Sequence, residues 1–169
     1  MNNNNQPTRT PYFPPPEGFE EYKPKSLESL VKENSQFAEY PGSNLDPDDN
    51  NSSTLNHLGT YNVLPVWEPF ATTVEYSGML RPLNTERTML IWQLSSFYGD
   101  DRLLDVYQQE LLVREGEREY WMPIQDILIP FLEKELIIGQ QITIFARMPA
   151  ILFSGTGPEF IFLINDFHH

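Results

Sequence analysis

Between Ile124 and Leu136 the apolar residues Ile124, Ile127, Leu128, Phe131, Leu132 and Leu136 recur at helical spacing, with Gln125, Asp126, Glu133 and Lys134 falling between them. That periodicity places the six on one face of a helix. Pro123 suits a first helical turn and Gly139 a C-terminal stop. Pro130 removes an interior hydrogen bond, so the segment is expected to break, or to divide into two short turns, near Ile129.

Upstream the pattern changes. VEYSGMLR (Val74 to Arg81) and TMLIWQLSSFYG (Thr88 to Gly99) are dense in β-branched and aromatic residues, and Arg81-Pro82-Leu83-Asn84 punctuates the gap, which predicts two strands. Trp92 and Phe145 are the aromatic rings expected deepest in the core. Glu115-Gly116 predicts a hairpin turn joining Gln109–Arg114 to Glu117–Met122, with the glycine free to take positive φ. QQITIFARM (Gln140 to Met148) and FIFLINDF (Phe160 to Phe167) predict two closing strands on either side of the glycine-rich turn SGTGPE.

Strands, a hairpin, a helix and two further strands, in that order, resemble in outline the OB-fold, a five-stranded barrel whose helix between the third and fourth strands stoppers one end. The expectation is a mainly β domain over residues 66–169, with one short helix and a small five- to six-stranded OB-like barrel. SH3-like barrels and α+β sandwiches share much of the pattern and stand as alternatives.

Residues 1–65 differ in kind. Ten of the 15 prolines lie in the first 69 residues, with the run Asn2 to Asn5 and the polar tract SNLDPDDNNSSTLN. Such a composition buries too little apolar area to offset backbone entropy of about 1–2 kcal/mol per residue, so an extended or disordered arm is expected. Two stretches within it read as docking motifs. Tyr12, Phe13, Phe19 and Tyr22 alternate with prolines in a pattern suited to lying extended across an apolar groove. Near 26–38, Ser26 can cap a short helix whose stripe is Leu27, Leu30 and Val31. The alternative is that both dock on the protein's own body.

Charge narrows the partners. The chain carries 11 basic against 24 acidic groups, a formal net charge of -13, and residues 66–169 hold seven of the bases and 15 of the acids. Nucleic acid phosphates and anionic membranes are repelled by such a surface. The absence of cysteine excludes disulfides, thiolate nucleophiles and cysteine-ligated metals. With no apolar run long enough to span a bilayer and no apolar segment in MNNNNQPTRT, the expected setting is cytoplasmic at synthesis, as a soluble part of a virion or larger assembly.

Candidate chemistry is sparse. The histidines, His57, His168 and His169, all fall outside the body, where they cannot serve as the base of a nucleophilic triad. SGTGPEF lacks the Lys-Ser/Thr of a phosphate cradle, and Asp46, Asp48 and Asp49 lack the closing glutamate of a calcium loop. Glu117 and Glu119 share one strand face, which fits a solvated surface. Trp121, beside Tyr120 at a hairpin end, is the ring most expected to be exposed and functional. These features predict a non-enzymatic interaction or assembly module without catalytic residues, metal or cofactor. Its contacts are expected through Tyr12, Phe13, Phe19, Tyr22, Leu27, Leu30, Val31, Tyr120 and Trp121, to other protein subunits or copies of itself. The alternative is an OB-type binder of single-stranded nucleic acid or oligosaccharide through an aromatic face.

Overall fold

The computed structural model describes residues 19–38, 60–63, 68–154 and 156–169. Its centre is a mixed sheet of seven strands: β1 (Lys23–Pro24), β2 (Thr60–Val63), β3 (Pro69–Pro82), β4 (Gln109–Glu115), β5 (Arg118–Ile124), β6 (Gln141–Ser154) and β7 (Gly157–His168), in the order β1-β3-β4-β5-β7-β6-β2. β3 is long enough to serve two neighbours. Its first half pairs antiparallel with β6, from Pro69↔Arg147 to Glu75↔Gln141, and its second half with β4, from Glu75↔Arg114 to Pro82↔Gln109. Hydrogen-bonded neighbours therefore lead from β3 through β4, β5, β7 and β6 back to β3. The β5–β7 step is parallel at Ile124↔Ile164.

The β3–β4 pairing carries an irregularity, and Gly78 lies within it. The β3–β4 register shifts between Tyr76 and Leu80, and Gly78 has φ 76°. A side chain there would be strained in the left-handed region, and its Cβ would lie 2.7 Å from Ile138 Cγ1.

Because side chains alternate along a strand, each face of the sheet can bury its own layer. On β7, Phe162 and Ile164 enter a cluster with Phe70, Val74, Leu111, Val113 and Met122, whereas Ile161 and Leu163 enter a second cluster with Leu90, Ile91, Leu94, Leu103 and Tyr107. The second layer is roofed by α2 (Thr85–Tyr98) and α3 (Leu103–Val106).

This corrects the expected strand at Thr88–Gly99 and the expectation of one short helix in residues 66–169, whose described residues hold three α-helices. The helical signals lie at the ends of α2. Asn84 Oδ1 accepts from Arg87 N at the start, and Gly99, at φ 67°, closes the end by donating to Ser95 O. A two-residue period groups Leu90, Trp92 and Leu94; the helix instead buries Arg87, Leu90, Ile91, Leu94 and Ser95 and leaves Trp92 50% exposed. Trp92 is therefore a surface residue, while Phe145 is buried.

The amphipathic segment divides as Pro130 requires. Ile124 ends β5, a 3-10 turn spans Asp126–Leu128, and α4 spans Ile129–Glu135. Pro130 falls in the first turn of α4, where no intrahelical acceptor awaits its missing N–H. Leu128, Leu132 and Leu136 reach the first cluster, but Ile127 is turned out to solvent.

From the N-terminal region, α1 (Leu27–Glu33) carries the expected cap, with Ser26 Oγ accepting from Ser29 N. Here the described parts of residues 1–65 are joined to the sheet. β1 runs parallel to β3 at Phe70 and Ala71, β2 pairs with β6, and Leu27 and Leu30 are buried in the first cluster. No helix among the described residues is long and apolar enough to cross a membrane.

Gly78→Ala combines backbone strain with the Ile138 contact and should destabilise the protein by about 1–3 kcal/mol in urea unfolding. An unchanged midpoint would show that the β3–β4 irregularity does not need a glycine here.

Candidate functional site

β4 alternates Leu111 and Val113 toward the first cluster, which sends Glu110 and Leu112 to the opposite face, opposite Pro123 and Trp121 of β5. Glu110 is fully buried there. A carboxylate without water needs charged donors, and two arginines supply them. Arg81, at the end of β3, donates from Nε to Glu110 Oε2 at 2.7 Å. Arg87, in the first turn of α2, donates from Nη1 to Glu110 Oε1, from the same nitrogen to the Trp121 carbonyl at 3.0 Å, and from Nη2 to Glu159 Oε2 at 2.7 Å. Arg87 is itself buried. The ion group thus joins β3, β4, β5, β7 and the beginning of α2.

Above it opens a cleft of about 870 Å3 lined by Arg81, Arg87, Arg118, Tyr120, Trp121 and Phe160, together with Val31 of α1. The Arg81 guanidinium lies 4.0 Å from the centroid of the Trp121 ring, within cation–π range. Tyr120 packs edge-on to Phe162, and burial pushes its hydroxyl pKa up while neighbouring Arg118 pulls the other way. Arg118 pairs with Glu28 of α1 at 3.2 Å, and Glu119 with Arg114 at 2.9 Å.

A second polar group lies inside the fold. Tyr107 Oη donates to Asn165 Oδ1 at 2.7 Å and accepts from Gln125 Nε2 at 3.3 Å, while Asn165 Nδ2 donates to Tyr22 Oη at 3.0 Å. All four residues are buried, and burial holds the Tyr107 hydroxyl well above its ordinary pKa. The group ties the N-terminal segment to β7 and to the chain leaving β5.

The residues expected at the site are distributed as follows. Tyr12 and Phe13 lie outside the described residues, and Phe19 opens the 3-10 turn Phe19–Glu21. Tyr22, Leu27 and Leu30 are buried in the protein's own body. Val31, far from them in sequence, lines one cleft with Tyr120 and Trp121. Sequence reasoning missed Arg81, Arg87, Glu110 and Glu159 as a unit. The one local signal was Glu110 itself, an acid at the head of an apolar strand.

Asp46, Asp48, Asp49 and His57 lie outside the described residues. Among the described residues no group of three or more His, Asp or Glu side chains is placed to hold a metal. Comparison with protein families, curated proteins and solved structures returns no match, so function is argued from these residues alone.

Removing the Glu110 carboxylate leaves Arg87 buried with part of its charge uncompensated. Glu110→Ala is expected to destabilise the protein by about 3 kcal/mol or more, whereas Arg81→Ala, at a half-exposed position, should cost about 1 kcal/mol. Chemical denaturation of the two variants checks the ranking; an equal loss would place the energetic weight elsewhere.

Proposed function

We propose that this chain is a non-enzymatic interaction or assembly module, an OB-like barrel that works by docking peptide segments onto a rigid body. The strand circuit from β3 back to β3, with α4 between β5 and β6, supports the OB-like reading. The observation that carries the docking reading is the seat of the protein's own N-terminal segment.

That seat has features of peptide recognition. β1 adds to β3, with Lys25 N donating to Ala71 O at 2.9 Å. The Tyr22 ring packs edge-on to Phe145 while its hydroxyl enters the buried polar group. At the first turn of α1, the free amides are met by a carboxylate from the body: Glu115 accepts from Leu27 N at 2.8 Å and Glu28 N at 3.0 Å, and also from Thr72 Oγ1. Strand addition, anchoring side chains and a charged helix cap are the means by which folded domains hold peptides.

On this reading the residues preceding Phe19, with Tyr12 and Phe13, extend the contact to partner subunits. The test compares the full chain with one lacking residues 1–18 as bait in native extract, read by mass spectrometry. Partners lost on deletion are expected; identical partner sets would contradict the role given to the arm.

A second reading, an OB-type binder of single strands or oligosaccharide, is favoured by Trp121 beside Arg81. The net charge of -13 weighs against the nucleic acid half. Tryptophan fluorescence titrated with oligonucleotide at low salt should therefore show no saturable quenching, and saturable quenching would reverse the preference.

A further inference from the structure

We propose that Arg81 is a docking point for a peptide carboxylate with an apolar neighbour, seated in the cleft between α1 and the ends of β3, β5 and β7. The inference deepens the interaction reading and rests on it, since it names the chemistry of one contact.

Arg81 uses its Nε on the buried Glu110, and its guanidinium carbon lies over the Trp121 ring, 4.0 Å from the centroid. Its two terminal NH2 groups hydrogen-bond to none of the described residues, and the side chain is 42% exposed. An exposed arginine ordinarily loses much rotamer freedom when it grips a ligand. Here two interactions already fix it, and what remains open is the end-on pair of N–H donors. Two parallel donors match the two oxygens of a carboxylate.

The surroundings select among oxyanions. Arg118 is engaged by Glu28, Arg87 by Glu110 and Glu159, and Glu119 by Arg114. Glu119 and Glu159 themselves line the cleft. A singly charged group can therefore approach Arg81, whereas a phosphate dianion or a polyanion meets these acids as well. Beside the charge, Val31, Tyr120 and Phe160 are partly buried and present apolar surface along the cleft. Carboxylate plus apolar side chain is the chemistry of an acidic peptide segment, and a partner protein is its source.

The test is an NMR titration of the isotopically labelled full chain with N-acetyl-Phe-Glu-Phe-amide, following the Trp121 indole N–H and the Arg81 Nε–H. Saturable shifts at both groups in roughly the millimolar range are expected. The matching Gln peptide, and the Glu peptide on Arg81→Lys, should bind at least about tenfold more weakly, because each removes the bidentate pair while keeping size or charge. Arg81→Lys is checked for an unchanged backbone spectrum.

Equal response to the Gln peptide, or no saturable shift at these two groups, overturns the proposal. A phosphoserine peptide that binds more tightly than the glutamate one overturns the assignment to carboxylate. If deletion of residues 1–18 removes partners while this titration is flat, the module reading stands and this inference falls. Loss of that deletion effect with a positive titration removes the arm's role and keeps the cleft.

Discussion

Glu110 is a carboxylate with no access to water, and the fold is arranged around meeting its need for donors. Arg81 reaches it from the end of β3 and Arg87 from the first turn of α2, so the acid fixes where one strand stops and where the next helix begins. Arg87 then extends the link to the β5 backbone at Trp121 and to Glu159 at the start of β7. Ion groups of this kind contribute little net stability against an apolar alternative, but a missing member leaves a buried charge unmet. Their effect is to favour one arrangement over near misses. The arrangement favoured here leaves one guanidinium of the group, that of Arg81, over the Trp121 ring and partly open to solvent.

The backbone provides the frame for that contact. β3 divides its length between β6 and β4, and Gly78 lies at the irregularity within its pairing with β4. Residues of the sheet form one apolar cluster, to which α1 and the α4 segment contribute leucines. The outer side of β6 and β7 carries a second cluster under α2 and α3. With both faces of the sheet carrying packed apolar clusters, the proposed interaction role falls to its margins: the seat occupied by the N-terminal segment and the cleft beside Trp121. Both use the same elements of chemistry, a carboxylate meeting fixed N–H donors beside an apolar surface. In the first, Glu115 supplies the carboxylate to backbone amides; in the second, Arg81 offers the donors.

Local physics was legible along the chain. The β4–β5 turn at Gly116, the two closing strands, the Ser26 cap and the break at Pro130 each depend on neighbouring residues, and each is present. α2 was misread because β-branched and aromatic content outweighed its end signals, Asn84 and Gly99, although these mark a helix more specifically than composition marks a strand. The error also misplaced Trp92. Tyr120 and Trp121 were identified as candidates, but their surroundings were not, because Arg87 and Arg81 are 23 and 29 residues from Glu110, and Glu159 is 72 from Arg87. Such pairings depend on strand order, which no local pattern carries. The same holds for Tyr22, whose hydroxyl bonds to a residue 143 positions away.

The central claim is that Glu110 and Trp121 hold the Arg81 guanidinium in place before any partner arrives. Side-chain NMR of the arginine Nε–H groups in the free protein measures this directly. The account predicts a single Arg81 signal, displaced by the Trp121 ring current, slow to exchange with water, as ordered as the backbone of β3, and lost to the averaged position in Glu110→Gln. An Arg81 signal that is already averaged and rapidly exchanging in the unaltered protein would contradict it.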